Sequence, residues 1–381
     1  MTKHYDIALI GGGASGLSLL YAMHLQGVLG DYRILVLEPE AKNDNDRTWC
    51  FWTDKSDPAW QMFSSTISKS WKHNFSASKP KENMAPYQYV QIRSKDFYAF
   101  VKDVLGEYPK IEYRTEKVKQ VKQGPNLQLI CDSESQFSAS LVFDSRPPRL
   151  EDPELIWQSF VGYRIKSPQN QFDTEVCRLM DFAVPQKNGL QFMYWLPTSV
   201  DEGLVEFTRF GDEILNEKES KPIIENYLKA LGIEEWEILE KEINKIPMTL
   251  SLNSKFSYHP KSANYIPIGV RAGAVKASTG FAFKNIMDHS WEIAKALKRN
   301  EALPLPRQSA KHNYYDELLL NLFQKRDSPI LKIFIRLFEK HPIDRILRFL
   351  DEKSSFREDF LIMYKMPWKP FFWSIGRSLL K

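Results

Sequence analysis

A short apolar run opens the chain: apart from Asp6, residues Tyr5 to Ile10 are hydrophobic, and glycines follow them at once. A run of this length bounded by glycine is typical of a strand that is buried on both faces. The glycines lead into a second apolar stretch, which predicts a helix, and a third run, Tyr32–Leu37, ends at Glu38. The hydrophobic pattern therefore predicts a strand, a turn, a helix and a second strand in succession.

The turn in this unit has the spacing G-x-G-x-x-G, with Gly11, Gly13 and Gly16 at the glycine positions. The first glycine permits a tight turn, the second lets backbone N–H groups approach a pyrophosphate, and the third lets the helix pack closely on the strand. Glu38 follows at the offset expected of a carboxylate that binds ribose hydroxyls. The pattern favours a dinucleotide site over a purely structural turn, with contacts from Gly11, Gly13, Ala14, Ser15, Gly16 and Glu38.

The position of this fingerprint bears on the choice of dinucleotide. It lies close to the N-terminus and has no second copy later in the chain. This arrangement suits FAD better than a nicotinamide cofactor.

An acid–arginine pair precedes a cluster of aromatic residues. Asp46 and Arg47 are followed directly by Thr48–Trp52, which contains two tryptophans and a phenylalanine. This segment either lines the wall of a site or fills a hydrophobic space beneath a loop. Arg47 is a candidate cofactor contact under the first interpretation.

A second arginine lies where a predicted strand meets a predicted helix. Tyr87–Ile92 alternates as a strand does, and Ser94 is expected to cap the helix that follows. Arg93, between them, could hold a flavin's phosphates or ring edge as a fixed cation, or it could form a surface ion pair. Further on, residues 111–131 predict two β segments, and Leu141–Asp144 predicts a buried strand.

From about residue 153 to 255 the pattern changes to short alternating runs, which predict one antiparallel sheet. Alternate positions are often apolar as well, so we expect this sheet to cover a large apolar cavity. Alternation places Glu206 on the same face as Leu204 and Thr208. Glu206 and Asp181 stand out as acids on this presumed face. The runs are Trp157–Tyr163, Cys177–Phe182, Leu190–Pro197 and Leu204–Phe210, and one strong helical stretch, Lys221–Glu240, follows them.

A glycine-rich segment, Ile266–Phe281, leads into a predicted helix at Phe283–Arg299. Backbone donors at such a junction suit an anion or the edge of a flavin ring, which makes Gly273 and Gly280 candidate cofactor contacts. The alternative is a loop that uses glycines only for its turns.

The end of the chain has a different composition. Pro304 and Pro306 mark a linker, after which the pattern is mostly helical. Residues 325–381 contain 13 Lys or Arg against 7 Asp or Glu, a net charge of +6, and Trp368, Phe371, Phe372 and Trp373 lie among these basic residues. Basic residues mixed with Trp and Phe on amphipathic helices predict peripheral contact with a membrane surface. A helical cap packed on the flavin domain is the alternative.

Composition limits the remaining functions. The 381 residues suffice for two or three domains, and aromatic residues make up 13% of them. The net charge of +4 gives no field that favours nucleic acid. The three cysteines and seven histidines lack metal-ligand or disulfide spacing, which fits a reducing cytosol and no metal site. No signal peptide or membrane-spanning run is evident, so we expect a cytoplasmic protein at the inner face of the cell membrane.

Several of these segments together resemble the lycopene cyclase flavoproteins, in the same order along the chain. The resemblance covers about residues 4–300 and thins beyond them. It is carried by Asp46–Trp52, Ile92–Ser94, Phe143–Arg146, Leu179–Phe182, Leu204–Thr208, Ile246–Met248, Arg271–Gly273 and Ser278–Phe281.

The resemblance implies a Rossmann-like FAD domain of the flavin hydroxylase type and a redox-neutral cyclisation of lycopene, in which protonation gives a carbocation that closes to a β-ring. It also implies that FAD is reduced, that its anionic ring stabilises the cation, and that NAD(P)H or another donor keeps it reduced. Glu206 matches the first glutamate of the family's Phe-Leu-Glu-Glu-Thr motif, whereas Phe207 replaces the second. Any partner acid and the final base therefore stay unassigned, with Asp181 a weaker candidate for either role.

Physical reasoning supports the same role for Glu206. A carboxyl that faces an apolar cavity has a raised pKa and can stay protonated as a general acid. A strand acid that faces solvent is the alternative.

Two other functions are compatible with this fold. One is an FAD-dependent monooxygenase that acts on an apolar polyene or aromatic substrate, although Val270 and Arg271 stand after Gly269 where that class commonly has Gly-Asp. The other is a non-catalytic lipid carrier, which would not need Glu206. The predicted organisation is an FAD-binding domain at 1–150, a substrate domain at 151–255, a return to the first domain at 256–300 and a helical membrane-contacting region at 301–381.

Overall fold

The computed structural model describes residues 3–147, 150, 155–250, 263–306, 309–325 and 329–379. The predicted domain boundary between residues 255 and 256 lies outside these ranges, and the one between 150 and 151 lies at the edge of an undescribed segment.

The strands are β1 (Lys3–Ile10), β2 (Ile34–Leu37), β3 (Thr48–Thr53), β4 (Lys69–Trp71), β5 (His73–Ser76), β6 (Lys79–Asn83), β7 (Gln88–Arg93), β8 (Ile111–Arg114), β9 (Val118–Lys122), β10 (Leu127–Cys131), β11 (Gln136–Asp144), β12 (Ile156–Lys166), β13 (Val176–Asp181), β14 (Leu190–Pro197), β15 (Glu202–Gly211), β16 (Glu237–Met248) and β17 (Tyr265–Pro267). The helices are α1 (Ala14–Leu25), α2 (Trp60–Phe63), α3 (Ser94–Leu105), α4 (Glu217–Ala230), α5 (Phe283–Arg299), α6 (Ala310–Phe323), α7 (Ile330–Lys340), α8 (Ile343–Leu350), α9 (Phe356–Tyr364) and α10 (Trp368–Leu379).

The first sheet has the order β8-β2-β1-β11-β10-β9, and β17 pairs with β11. The strands β8, β2, β1, β11 and β17 run parallel, whereas β10 and β9 are antiparallel additions. The helices α1, α3 and α5 cover one face, where Leu17, Phe97 and Met287 pack against Ile7 and Leu9. Tyr5 and Ala8 on the other face join a separate cluster with Leu129 of β10. Both faces of β1 are therefore buried and apolar, as the opening run predicts.

The second sheet has the order β16-β12-β15-β14-β13-β5-β6 and is antiparallel except at the β13–β5 pair. One face packs on α4 through residues such as Val205 and Phe207, while the other buries Leu204 and Phe210 in a separate cluster. A small third sheet, β3-β7-β4, lies between the two larger ones in sequence. The structure thus has the predicted α/β fold with a second, mainly antiparallel sheet.

The C-terminal helices pack mainly on the second sheet. Phe323 of α6 contacts Phe210, and Phe334 and Phe338 of α7 contact Phe182 at the end of β13. These rings join one hydrophobic cluster with β13, β14 and β15. The predicted helical character of 301–381 is confirmed in its described part, where no helix is long and apolar enough to cross a bilayer.

Three local predictions differ from the structure. Residues 111–131 form three strands instead of two, because a turn at Glu116 separates β8 from β9. The helix predicted at Lys221–Glu240 ends at Ala230, just before Gly232, whose φ of +78° favours glycine, and residues 237–240 belong to strand β16. Ser94 is the first residue of α3 and does not cap it, since its hydroxyl donates to Asp46.

Candidate active site

A cavity of about 1820 Å³ extends from the glycine turn of the first sheet to the inner face of the second. Ligand pockets for drug-sized molecules commonly span about 300–1,000 Å³, so this cavity has room for a cofactor together with a second ligand. Its wall at the cofactor end is polar and contains glycine, and its far wall is largely apolar. The far wall includes Phe51, Trp52, Tyr89, Phe160, Tyr194, Leu196, Leu204 and Phe281.

The predicted glycine fingerprint forms the cofactor end of the cavity. Gly11 has a φ of +104°, and a Cβ there would lie 2.1 Å from Ser145 Oγ. Gly13, Ala14 and Ser15 line the cavity where α1 begins. The first turn of a helix leaves N–H groups without intrahelical partners, so this end suits an anionic group such as a pyrophosphate.

Glu38 lies at the carboxyl end of β2 and lines the same end of the cavity. Its Oε2 accepts the backbone N–H of Gly12 at 2.7 Å, and its Oε1 accepts the N–H of Glu40 at 3.1 Å. These two contacts fix the carboxylate beside the turn, where ribose hydroxyls could donate to it.

The second glycine-rich segment meets the first one. Gly269 has a φ of +66°, and a Cβ there would lie 2.0 Å from Ser15 Oγ. Gly273 and Gly280 also have positive φ, at +81° and +71°, and both line the cavity. A Cβ on Gly280 would lie 2.2 Å from Gln158 Oε1, so this position requires glycine for both conformation and space.

Buried polar atoms without a protein partner mark the part of the cavity where a cofactor ring fits. Among the described residues, Gln158 Oε1, Thr279 Oγ1 and Trp52 Nε1 are buried and make no hydrogen bond within the protein. All three residues line the cavity. Because buried polar groups are nearly always hydrogen-bonded, these atoms fit a ligand with both donors and acceptors on its edge. A flavin ring has that chemistry, and the residues present therefore fit FAD.

The aromatic segment behind Arg47 both lines the cavity and packs beneath it. Trp49 stacks on Phe283 with ring centroids 4.5 Å apart and an interplanar angle of 22°. Trp52 meets Phe281 edge to face at 4.6 Å. The two rings of β3 thus connect the small sheet to the start of α5. The aromatic segment therefore both lines the cavity and fills the hydrophobic space beneath it, as the two sequence interpretations proposed.

The two candidate arginines have different surroundings. Arg47 lines the cavity, and its guanidinium donates to the side-chain carbonyl of Asn244 at 2.8 and 3.2 Å. Arg93 is not among the residues that line the cavity; it pairs with Glu240 of β16. The ion-pair interpretation of Arg93 therefore describes the structure, although the pair is partly buried between two strands.

Glu206 lies on the cavity face of β15, in line with Leu204, as the alternation predicts. Its Oε1 accepts a weak hydrogen bond from Thr208 Oγ1 at 3.3 Å. Burial, and next the charge of Glu242, raise the pKa of Glu206 to about 8. A carboxyl with this pKa is protonated at neutral pH and faces an apolar space, which is the arrangement that a general acid needs.

Glu242 is a second acid of the cavity that the sequence analysis missed. It lies on β16, within the segment whose first part was predicted to be helical, and its Oε2 accepts the backbone N–H of Thr48 at 3.0 Å. Burial raises the pKa of Glu242 to about 7, against the opposing effects of Arg47 and Thr48. Sequence pattern gave no signal for it, because apolar and polar residues do not alternate along 237–246: Leu239 and Ile243 are exposed, whereas Glu242 is half-buried.

Asp181 lies elsewhere. Its carboxylate pairs with Arg178 at 2.7 Å and accepts the hydroxyl hydrogen of Tyr227, on α4, at 2.8 Å. Since α4 covers the face of the second sheet opposite the cavity, Asp181 is separated from Glu206 by the sheet. Asp181 is therefore not among the residues that line the cavity, and its carboxylate already has structural partners.

Solved structures with the same fold place the chain in a class. It aligns with a geranylgeranyl bacteriochlorophyll reductase-like protein of Thermoplasma acidophilum over 99% of both chains, with a TM-score of 0.61 and 13% identity. The HpxO protein of Klebsiella pneumoniae, solved with FAD, aligns over 96% of this chain and all of that one, with a TM-score of 0.59 and 9% identity. Fold and cavity together define an α/β flavoprotein of this type.

The family follows from sequence comparison. The family model for lycopene cyclase proteins matches residues 6–375, so the chain belongs to the lycopene cyclase family. The lycopene beta-cyclase of Pantoea ananas is 26% identical over 294 residues, which cover 74% of this chain and 72% of that protein. That of a Paracoccus species is 24% identical over 281 residues, covering 73% and 70%. The predicted resemblance is confirmed, and it extends beyond residue 300.

Proposed function

We propose that this member of the lycopene cyclase family is a lycopene β-cyclase, which closes the linear ends of lycopene to β-rings without net oxidation or reduction. The observation that carries this proposal is the position of Glu206, a buried carboxyl with a raised pKa on the apolar wall of a cavity whose other end has the glycine turn of a dinucleotide site. Its neighbours on that wall, such as Leu204 and Tyr194, suit an apolar polyene end.

FAD is the cofactor that the residues fit. Gly11, Gly13, Ala14, Ser15 and Glu38 would hold its adenosine and phosphate half, while Gly16 keeps α1 close enough to the strand for this contact. Gly273, Gly280, Gln158 and Thr279 would hold the ring. Bound in its reduced form, FAD supplies negative charge that stabilises a carbocation, and NAD(P)H is the proposed electron donor.

Glu206 performs the proton chemistry in this proposal. Its carboxyl donates a proton to the terminal double bond of lycopene, which leaves a tertiary carbocation on the substrate. The nearby double bond attacks that carbon and forms the ring bond, and loss of a ring proton gives the β-ring. One proton enters and one leaves, so no oxidant or reductant is consumed. The apolar wall excludes water that would otherwise trap the cation.

Peripheral membrane contact through the C-terminal region belongs to the same proposal. Phe356, Phe360 and Tyr364 follow one another at four-residue intervals on α9, as do Trp368 and Phe372 on α10, and each is more than half exposed. Lys365, Lys369 and Arg377 lie among them. Exposed aromatic residues beside basic ones suit the interface of an anionic bilayer, where an apolar substrate resides.

The test is pigment analysis of a lycopene-producing bacterium that expresses this chain, with Glu206→Gln as the matched variant. We expect a new pigment of unchanged mass that absorbs at shorter wavelength, from the wild type only. A pigment heavier by oxygen would replace the proposal with a monooxygenase. If a folded and flavin-loaded wild-type protein leaves lycopene unchanged, the cyclase proposal is wrong and a non-catalytic lipid carrier replaces it.

A further inference from the structure

The three strands β15, β12 and β16 bring two acids to one register. Gly162 on the middle strand β12 is the cross-strand neighbour of Glu206 on β15 and also of Glu242 on β16. Residues directly opposite each other in antiparallel strands point to the same face of the sheet. The two carboxyl groups therefore both face the cavity, one on each side of a glycine, and both residues line it.

The glycine between them determines how near the carboxyls can come. A Cβ on Gly162 would lie 3.2 Å from Glu206 Oε2 and 3.4 Å from its Cγ. The side chain of Glu206 thus lies over Gly162, in the space that any other residue would fill with its own Cβ. Gly162 belongs to β12, which lies between β15 and β16. This position over Gly162 therefore brings the carboxyl of Glu206 towards Glu242.

The surroundings of the two acids indicate that Glu206, and not Glu242, is the protonated member. Glu242 accepts the N–H of Thr48 and lies near Arg47, and both stabilise its charged form. Glu206 has the weak contact with Thr208, and burial with the charge of Glu242 disfavours its ionisation. Within the described ranges, the other titratable groups that face the pair are Asp46, Arg47, Cys50, Tyr89 and Tyr194, and Arg47 is the cation among them.

We propose that Glu242 is the final base of the cyclisation and forms, with Glu206 across Gly162, a carboxyl pair that holds one proton. This inference rests on the proposed function. Glu206 begins protonated and Glu242 ionised. After Glu206 donates its proton and the ring bond forms, the Glu242 carboxylate takes the ring proton, whose C–H electron pair becomes the new double bond. The proton then returns from Glu242 to Glu206, and the pair is reset with atoms and charge balanced.

The experiment compares Glu242→Gln, Glu242→Asp and Gly162→Ala with wild type, and uses Glu237→Gln as control. Glu237 lies on the same strand at an exposed position, so its variant tests the loss of a β16 carboxyl alone. We expect Glu242→Gln to lower cyclisation by about 100-fold or more with FAD and lycopene still bound. Glu242→Asp should restore part of the rate, and Gly162→Ala should lower it because the added methyl displaces Glu206.

A second readout is independent of activity. The infrared C=O band of the protonated Glu206 carboxyl should appear at neutral pH in the difference spectrum between wild type and Glu206→Gln. In Glu242→Gln its titration should move to lower pH, because the charge that opposes ionisation of Glu206 is gone. The same shift is expected in the alkaline limb of the residual activity.

The outcomes separate the two proposals. A Glu242→Gln enzyme with wild-type rate and an unmoved infrared titration would overturn the carboxyl pair while leaving the cyclase intact. Loss of activity on Glu242→Gln without the titration shift would overturn the shared proton. A wild-type protein that shows the shared proton but leaves lycopene unchanged would instead refute the cyclase, and with it the role of Glu242 as final base.

Discussion

Gly16 lies against the carbonyl oxygen of Gly11: a Cβ on Gly16 would be only 2.1 Å from that atom. The contact joins the first turn of α1 to the end of β1, so it sets how closely the helix packs on the first sheet. Both partners are glycines of the fingerprint, and the contacted atom is backbone, which cannot rotate away as a side chain can.

Gly16→Ala is therefore expected to lower stability by about 1–3 kcal/mol or more and to reduce the flavin-to-protein ratio. Gly376→Ala on α10 is the matched control, because open space surrounds that position and alanine favours a helix. Thermal unfolding and flavin absorbance check both variants. A Gly16→Ala protein with wild-type melting temperature and flavin content would contradict this account of the packing.

Glu206→Gln should lower the rate of cyclisation about 100-fold or more, because the amide has no acidic proton. FAD and lycopene should still bind, since the amide keeps the shape of the side chain. Wild-type activity should decline as pH rises through the pKa of Glu206, about 8, because only the protonated form donates. Product formation measured against pH tests this. Glu202→Gln, on the same strand but paired with Arg164, should keep the activity.

The same carboxyl predicts how stability depends on pH. Its folded-state pKa lies above the value of an unfolded glutamate, so between about pH 4.5 and 8 the folded protein binds more protons than the unfolded chain. This contribution to stability is complete at low pH and is lost as pH rises through the folded pKa. Urea unfolding should show wild type losing about 3 kcal/mol relative to Glu206→Gln from pH 5 to pH 8, since each unit of pKa difference corresponds to about 1.4 kcal/mol. A constant difference would mean that Glu206 ionises normally.

A buried ion pair holds the second glycine-rich segment to the C-terminal helices. Lys276 Nζ lies 2.8 and 3.1 Å from the carboxylate oxygens of Asp316 on α6, and both side chains are buried. Asp316→Ala should cost about 2–3 kcal/mol, because the buried lysine loses its closest partner while Glu352, at 3.2 Å, still balances part of its charge. Asp132→Ala, from an exposed pair with Lys117, should cost at most about 1 kcal/mol. Equal unfolding free energies for the two variants would refute this ranking.

Membrane contact is tested by vesicle sedimentation. The double variant Phe360→Glu and Phe372→Glu should lower binding to anionic vesicles at least about tenfold, because two exposed aromatic rings lose their transfer into the interface. Val200→Glu with Ile214→Glu adds the same charge at exposed apolar positions outside the C-terminal helices and should bind as wild type does. Identical vesicle binding by the two double variants would mean that the membrane contact does not involve Phe360 and Phe372.

Local pattern was sufficient where structure depends on near neighbours. The β1–turn–α1 unit, the helix Phe283–Arg299 and the orientation of Glu206 all follow from periods of two or 3.6 and from glycine at required positions. Local pattern could not show whether Arg93 contacts a cofactor or forms an ion pair, because its partner Glu240 lies 147 residues away. The partners of Asp181 could not be predicted for the same reason, since Tyr227 belongs to a different element.

Local sequence pattern was enough to predict a flavoprotein α/β domain, an antiparallel sheet with Glu206 on its apolar face and a basic, aromatic helical end. Tertiary structure decided that Glu237–Met248 is an edge strand and that His73–Asn83 joins the second sheet, although it lies within the predicted range of the first domain. This pairing places Glu242 on the opposite side of Gly162 from Glu206. The physical reason is that a strand is stabilised by a partner strand that can be distant in sequence, and this pairing overrides the helix preference of a Glu- and Lys-rich segment.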